Sequence, residues 1–165
     1  MERNVEKWSE NGVFTETFEE GGRLNMLGGE YRHNLDTKNR IFVPAKLREE
    51  LGETFVVAKD IRETCLKVYS LAGWEEYIKP LREQKRKLSE KILRYLHASL
   101  VQVTPDSQGR VVISSLLVEK ANIEKNVVIL GCSDYAEIWS ETAYENMLAS
   151  ENEEEMLALL ESMGL

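Results

Sequence analysis

Asp36-Thr37-Lys38-Asn39-Arg40-Ile41-Phe42-Val43 returns seventy positions later as Asp106-Ser107-Gln108-Gly109-Arg110-Val111-Val112-Ile113. From there the two stretches run on without a gap. Leu47 faces Leu117, Glu49 faces Glu119, Val57 faces Val127, Val68-Tyr69-Ser70 faces Ile138-Trp139-Ser140, and Trp74-Glu75 faces Tyr144-Glu145. Self-similarity at a fixed period means one structural unit used twice. Each copy is only roughly 45 residues, near the size below which a domain seldom buries enough apolar surface alone. The copies are therefore expected to complete one common core, as a dimer would, inside one polypeptide.

Within a copy, residues 30–35 alternate like a strand, with Tyr31, His33 and Leu35 on one face. A polar turn at 36–39 leads into a β-branched strand at 40–43, and Pro44 opens a short helix that Gly52 stops. A second strand pair, 55–59 and 66–69, ends at Ser70, the expected N-cap of a helix carrying Trp74, Tyr77 and Ile78. The second copy repeats the order, with strands at 101–104, 110–113, 127–130 and 137–139, a helix at 116–121 and a cap at Ser140. Asn39 and Gly109 precede the two arginines, and Asn and Gly are the residues that most readily take positive φ. Residues 81–97 predict a single amphipathic helix joining the copies, basic on its outer face, and 151–165 predict an acidic amphipathic helix with Met156, Leu157, Leu159 and Leu160 on its apolar side. Residues 1–25 have no counterpart in the second copy. They are expected to be a translated ribosome-binding region ahead of a native start at Met26, or a disordered arm.

Net charge is −8 over 165 residues, which by itself disfavours a nucleic-acid partner. Its distribution points the other way. Residues 126–165 hold nine acids and no Lys or Arg, and residues 1–25 hold six acids against three bases, so residues 26–125 stand at +4. Arg32, Lys38, Arg40, Lys46 and Arg48 lie within eighteen positions that contain one acid, Asp36. The local field, rather than the total charge, steers a polyanion.

Enzyme chemistry has no foothold in the pattern. There is no Gly-rich phosphate loop, no Gly-x-Ser-x-Gly elbow and no His-Glu-x-x-His. His33 is expected to be a packed core or rim histidine, and His97 to sit at the end of the connector helix, where a cation is favourable and no catalytic role is needed. Cys65 and Cys132 lack the neighbouring Cys or His that a zinc site needs, so no metal and no cofactor are expected, only two reduced thiols. No long uncharged apolar run suggests a membrane span or a secretory signal, and the chain is expected in the cytosol, without a small-molecule substrate. The Asp-x-x-x-Arg turns carry the positive case. Lys38 and Arg40 on an exposed turn can contact phosphate, and an arginine can read guanine bidentately. Asp36 and Asp106 are expected to hold the turn backbone and orient the arginines, the competing reading being a purely structural ion pair in each hairpin.

The run Leu35-Asp36-Thr37-Lys38-Asn39-Arg40-Ile41-Phe42-Val43-Pro44-Ala45-Lys46-Leu47-Arg48 resembles the signature of the MraZ family, as do Leu66-Lys67-Val68-Tyr69, Trp74-Glu75, Gly109-Arg110 and Glu137-Ile138-Trp139. The resemblance implies a mixed α/β, β-rich fold in which two AbrB-like swapped-hairpin repeats interlock into one pseudo-dimeric β-barrel with flanking helices. On that frame the expected organisation is an extension at 1–25, repeat one at 30–72, connecting helices at 73–100, repeat two at 101–144 and an acidic tail at 145–165. It implies a nucleoid-associated transcriptional regulator, usually a repressor, of the division and cell wall gene cluster. Such a protein binds repeated boxes of double-stranded DNA upstream of its own promoter as a ring-shaped homo-oligomer. The resemblance places the family's key arginine on Arg40, the second-copy equivalent on Arg110 and the basic helix position on Arg48; together with Arg32, Lys38, Asn39 and Gln108 these are the expected DNA-contacting residues. Asn39 stands where the family has glycine, and Val118 and Ser114 stand where the first copy has Arg48 and Pro44. The second copy is thus the less basic, and the halves are expected to contribute unequally. A rival reading from another class is an oligomeric scaffold whose acidic tail docks a protein partner.

Overall fold

The computed structural model describes residues 26–84 and 87–165, preceded by an antiparallel pair of two-residue strands, β1 (Thr17–Phe18) and β2 (Gly22–Arg23). The expectations placed on the rest of 1–25 lie outside the described residues. The first copy runs β3 (Glu30–Asn34), β4 (Arg40–Phe42), α1 (Ala45–Leu51), β5 (Phe55–Lys59), β6 (Cys65–Ser70) and α2 (Leu71–Glu83), followed by α3 (Lys87–Ala98). The second runs β7 (Val101–Val103), β8 (Arg110–Val112), α4 (Ser115–Lys120), β9 (Asn126–Gly131), β10 (Ala136–Ser140), α5 (Glu141–Ser150) and α6 (Glu153–Ser162). This is a mixed α/β fold with a large antiparallel sheet.

Local chemistry places the helix starts. Ser70 Oγ accepts from the Gly73 N–H at 3.0 Å and Ser140 Oγ from the Ala143 N–H at 3.1 Å, as their sequence positions predict. Ser114, in the place of Pro44, caps α4 by accepting from the Leu117 N–H at 3.3 Å. The connector departs from expectation. Instead of one helix over 81–97, α2 ends at Glu83, and α3 begins at Lys87 and packs back along α2. The reversal lets both helices bury their apolar faces on one side of the sheet, where Trp74, Ile78 and Leu96 cluster with Val56, Ala58 and Tyr69.

The sheet interleaves the copies. Its order is β3-β9-β10-β6-β5-β7, so β3 pairs with β9, β6 with β10 and β5 with β7, each bond line crossing from one copy to the other. β4 and β8 form a separate two-stranded ribbon, again one strand from each copy. Ile41 lies opposite Val111 and Lys67 opposite Glu137, and both pairs are repeat equivalents seventy apart. A pseudo-two-fold axis therefore passes between them. The inner face of the ribbon, Ile41 and Val111 with the flanking Val43 and Ile113, packs against Phe55, Val57, Ile129 and Ile138 of the sheet.

The ungapped match fails at one strand. His33 pairs with Val127, but its repeat equivalent Val103 pairs with Phe55, so Phe55 corresponds to Val127 and Val57 to Ile129. The segment between α4 and β9 is two residues longer than its counterpart between α1 and β5, and the β9–β10 connection is two residues shorter. The first change accommodates the left-handed Asn122, φ 51°. The second restores the seventy-residue spacing at Lys67 and Glu137.

Candidate nucleic-acid interface

Each arginine turn is built around one carboxylate. Asp36 Oδ1 accepts from the backbone N–H groups of Lys38 and Arg40, both at 2.9 Å, while Oδ2 accepts from Arg40 Nε at 2.6 Å. Asp106 does the same for Gln108 (2.9 Å), Arg110 N (3.0 Å) and Arg110 Nε (2.9 Å). In both turns the arginine backbone N–H is the largest influence, and together with its guanidinium and the neighbouring N–H it outweighs desolvation and holds the carboxyl below the usual carboxylate range. Asn39 and Gly109 take φ of 56° and 78°, the left-handed conformation their types predict.

The turns are also bonded across the axis. Asn39 O accepts from the Ile113 N–H at 2.8 Å, and Gly109 O from the Val43 N–H at 2.9 Å. Each turn is thus anchored on the opposite copy at the mouth of the β4–β8 ribbon. The pairing Arg40–Val112 and Phe42–Arg110 puts these four side chains on one face of the ribbon, with Ile41 and Val111 on the other. That outer face is open: Phe42 is 37% and Val112 58% exposed, and the Arg40 and Arg110 side chains are 28% and 29% exposed. Both arginines engage their aspartate through Nε alone, and among the described residues their Nη1 and Nη2 have no hydrogen-bond partner. The two guanidinium-bearing positions are diagonal neighbours, about 7–8 Å apart at the backbone.

Arg48 crosses between copies. Its Nε donates to Val43 O at 2.9 Å, its Cζ sits 6.0 Å from the Phe42 ring centroid, and its guanidinium lies against Gly109 of the second turn. In sequence the second copy is the less basic, but in space its turn acquires a base from the first. Asn39 Nδ2 donates to Ser115 Oγ at 3.3 Å, tying the first turn to α4. Lys38 and Gln108 occupy equivalent exposed turn positions.

Arg32 stands elsewhere. Its guanidinium meets Glu30 and Glu145 at 2.9 Å each and Glu141 at 3.7 Å, and lies 5.7 Å from the Tyr144 ring centroid. It joins β3 to α5, while Lys38, Asn39, Arg40, Arg48, Gln108 and Arg110 gather around the ribbon. Phe42 and Val112 were not singled out from sequence, although alternation about the buried Ile41 and Val111 places them beside the arginines. His33 is a rim residue whose ring meets Phe42 edge-on at 5.1 Å, and burial lowers its pKa. His97 lies in the last turn of α3, as expected, with its Nε2 3.3 Å from the buried Trp74 indole N–H and its Nδ1 2.9 Å from Leu93 O. Among the described residues no group of three or more His, Cys, Asp or Glu side chains is placed to hold a metal ion, and no helix is long and apolar enough to cross a membrane.

Residues 26–94 and 96–163 each match the family model described as "MraZ protein, putative antitoxin-like", so the two matches follow the two copies. The chain is 45% identical over 123 residues to the transcriptional regulator MraZ of Caldanaerobacter subterraneus subsp. tengcongensis, covering 73% of this chain and 85% of that protein. It is 38% identical over 145 residues to the protein of the same name in Clostridium acetobutylicum, covering 84% and 97%. With that of Halothermothrix orenii it shares 37% over 144 residues, covering 85% of this chain and all of the relative. Matched in both halves and over nearly the whole length of these relatives, the chain belongs to the MraZ family.

Proposed function

We propose that the chain is a sequence-specific DNA-binding transcriptional regulator whose reading element is the β4–β8 ribbon with its two arginine turns. The observation that carries this is the open ribbon face, on which Arg40 and Arg110 are held through Nε and keep their outer nitrogens for a ligand. A two-stranded β-ribbon is one of the elements that fits the major groove of B-DNA, and the outer edge of a guanidinium matches guanine O6 and N7. Asp36 and Asp106 pre-orient the arginines, so less side-chain entropy is lost on binding. Lys38 and Arg48 supply phosphate neutralisation, Gln108 and Asn39 supply polar groups on the turns, and Phe42 and Val112 supply apolar contact to a thymine methyl. Arg32, already neutralised by acids of β3 and α5, contributes little to this surface.

The sheet and the ribbon are read together as the walls of one pseudo-dimeric barrel, supported by the core that fills the space between them. The protein is further read as a cytoplasmic, nucleoid-associated repressor at the head of the division and cell wall gene cluster. Several copies in a ring bind repeated boxes upstream of its own promoter and block polymerase, each engaged box raising the effective concentration of the next. The test is fluorescence anisotropy or gel shift on the gene's own upstream region across a salt series. Arg40→Ala and Arg110→Ala are each expected to lower affinity by about 1–3 kcal/mol and relax sequence preference, while Lys38→Ala weakens all sequences alike and flattens the salt slope by about one unit. Arg32→Ala should leave DNA binding near wild type. Full affinity in the Arg40→Ala, Arg110→Ala double variant would remove the ribbon from the interface.

A further inference from the structure

A cleft of about 790 Å³ opens beside Lys67, between the start of α2, the end of α1 and the β5–β6 and β9–β10 connections. Its volume lies within the roughly 300–1,000 Å³ that small-molecule sites occupy. None of its lining residues belongs to the β4–β8 ribbon or to the arginine turns. Three tyrosines form one wall: the Tyr69 ring stacks on Tyr77 at 5.1 Å and meets Tyr135 at 5.5 Å. Four acids, Glu50, Asp60, Glu76 and Asp134, line the space against two bases, Arg62 and Lys67. Pairing sharpens the imbalance. Lys67 is neutralised by Glu137 at 2.9 Å, and the Asp60 carboxylate is taken up by the Ile61 and Glu63 N–H groups at 2.9 and 3.0 Å. Glu50, Glu76 and Asp134 make no ion pair among the described residues. Oε2 of Glu50 is moreover shut from solvent with no hydrogen-bond partner among them.

The pseudo-axis makes such a hollow twice. Its counterpart beside α5, about 610 Å³, has Trp139, Asn146 and Met147 where the first has Tyr69, Glu76 and Tyr77, and Thr64 where the first has Asp134. Lys120 stands at the repeat position of Glu50. The hollow itself is thus a product of the fold, whereas the tyrosine wall and the unpaired carboxylates are particular to the first copy.

We propose that the first-copy cleft binds a small organic cation, an ammonium or guanidinium group on a short apolar stem. The stem lies on the tyrosine wall, the charge meets Glu50, and the exposed Glu76 and Asp134 attract it from the mouth. The aromatic wall already holds one ammonium, since Lys67 Nζ lies 3.8 Å from the Tyr135 ring centroid. A carboxylate oxygen shut from water without a donor is costly, and a ligand N–H supplies that donor with charge assistance. The last torsion of a glutamate is broad and two-fold, so a small rotation turns the unpaired oxygen toward the ligand. An anion at the start of α2 is disfavoured, because Ser70 Oγ already accepts from the Gly73 N–H and the three unpaired carboxylates repel it. The same head group is carried by a free amine or guanidine and by a Lys or Arg side chain of another protein, so the probes include both.

The full-length chain is titrated with butylguanidine, agmatine, N-acetylarginine amide and the uncharged isostere butylurea, followed by amide chemical shifts. Butylguanidine is expected to move Gly73, Tyr77, Asp134 and Tyr135 at millimolar concentration and to leave Ala143, Asn146 and Met147 in the counterpart hollow unmoved. Glu50→Gln, which keeps the shape and removes the charge, should weaken it on the order of tenfold. Tyr77→Leu, at an exposed ring, should weaken it about threefold. Circular dichroism checks that both variants fold. Agmatine binding more tightly than N-acetylarginine amide assigns the cleft to a free cation, and the reverse order assigns it to a side chain of a protein partner. Butylurea binding as well as butylguanidine, unchanged affinity in folded Glu50→Gln, equal shifts in the two hollows, or no shift with any of the cations would each overturn the site. The cleft shares no lining residue with the ribbon face, so loss of DNA binding in Arg40→Ala and loss of cation binding in Glu50→Gln report on the two readings separately.

Discussion

The guanidinium of Arg48 lies so close to the backbone of Gly109 that a Cβ built there would sit 2.9 Å from Arg48 Cζ. The pseudo-axis carries Arg48 onto Val118 and Gly109 onto Asn39. The copy whose turn has a side chain, Asn39, thus faces the short Val118, and the copy whose turn has none faces the long Arg48. Gly109→Ala combines a left-handed φ of 78° with displacement of Arg48 from Val43 O, and is expected to cost about 2–3 kcal/mol in denaturant unfolding. Val118→Arg alone should destabilise through the same crowding at Asn39. Asn39→Gly with Val118→Arg should recover most of that loss, and strict additivity of the two changes in a double-mutant cycle would refute the matched-pair explanation.

Acid should act on the turns before it acts on the rest of the ribbon. Asp36 and Asp106 are held below the ordinary carboxylate range, so their contribution is fully present above the unfolded value of about 3.9 and is lost as pH falls through the lower folded values. Between pH 5 and 8 these groups contribute no pH dependence. Backbone amide shifts of Lys38, Arg40, Gln108 and Arg110 are expected to move together below about pH 4. Asp36→Asn keeps an acceptor for the two N–H groups but removes the charge on Arg40, and should abolish the acid-linked shifts in the first turn alone.

Much of this was legible locally. Strand alternation, the serine caps and the positive φ of Asn39 and Gly109 follow from residue type and spacing. The two-residue offset of β9 did not show, because a shift of two keeps every side chain on its own face and leaves the apolar pattern unchanged. The strand exchange between copies is a long-range pairing that no local pattern encodes. In the site, Lys38, Arg40 and Arg110 could be picked out by charge and turn chemistry. The neutralisation of Arg32 could not, since Glu141 and Glu145 approach it from more than a hundred residues away.

The cysteines should be unreactive in the native protein. Burial pushes the Cys132 thiol up to about 11, with Glu137 adding to the effect, and pushes Cys65 higher still. Thiolate is the reactive species, so at pH 8 little of either is available. Titration with a chromogenic disulfide is expected to label Cys132 slowly and Cys65 only after unfolding. Rapid modification of Cys65 in folded protein would show that its fully buried position opens far more readily than the core around it.

On the pseudo-axis itself, Lys67 Nζ lies 2.9 Å from Glu137 Oε1, with the side chains 17% and 13% exposed. Burial is the largest single influence and disfavours the Lys67 charge, but the hydrogen bond and the charge of Glu137, joined by Tyr135, together outweigh it and raise the pKa. Lys67 also sits 3.8 Å from the Tyr135 ring centroid, and Glu137 Oε2 accepts from the Trp139 indole at 2.8 Å. In a true homodimer a residue at this point would face its own copy, lysine against lysine. Two diverged copies in one chain allow opposite charges to meet there. Lys67→Met leaves a buried carboxylate with only the indole as partner and should cost about 3 kcal/mol. Glu137→Gln keeps an acceptor for Trp139 and strands the ammonium, and Glu137→Lys, which places two ammonium groups opposite each other, should cost more. The Lys67→Met, Glu137→Gln pair should lose about 1–3 kcal/mol less than the single losses combined. Guanidinium unfolding of the four proteins measures this. Coupling below about 0.5 kcal/mol would mean that the axis is held by its apolar neighbours Leu66, Val68, Ala136 and Ile138 and not by the ion pair.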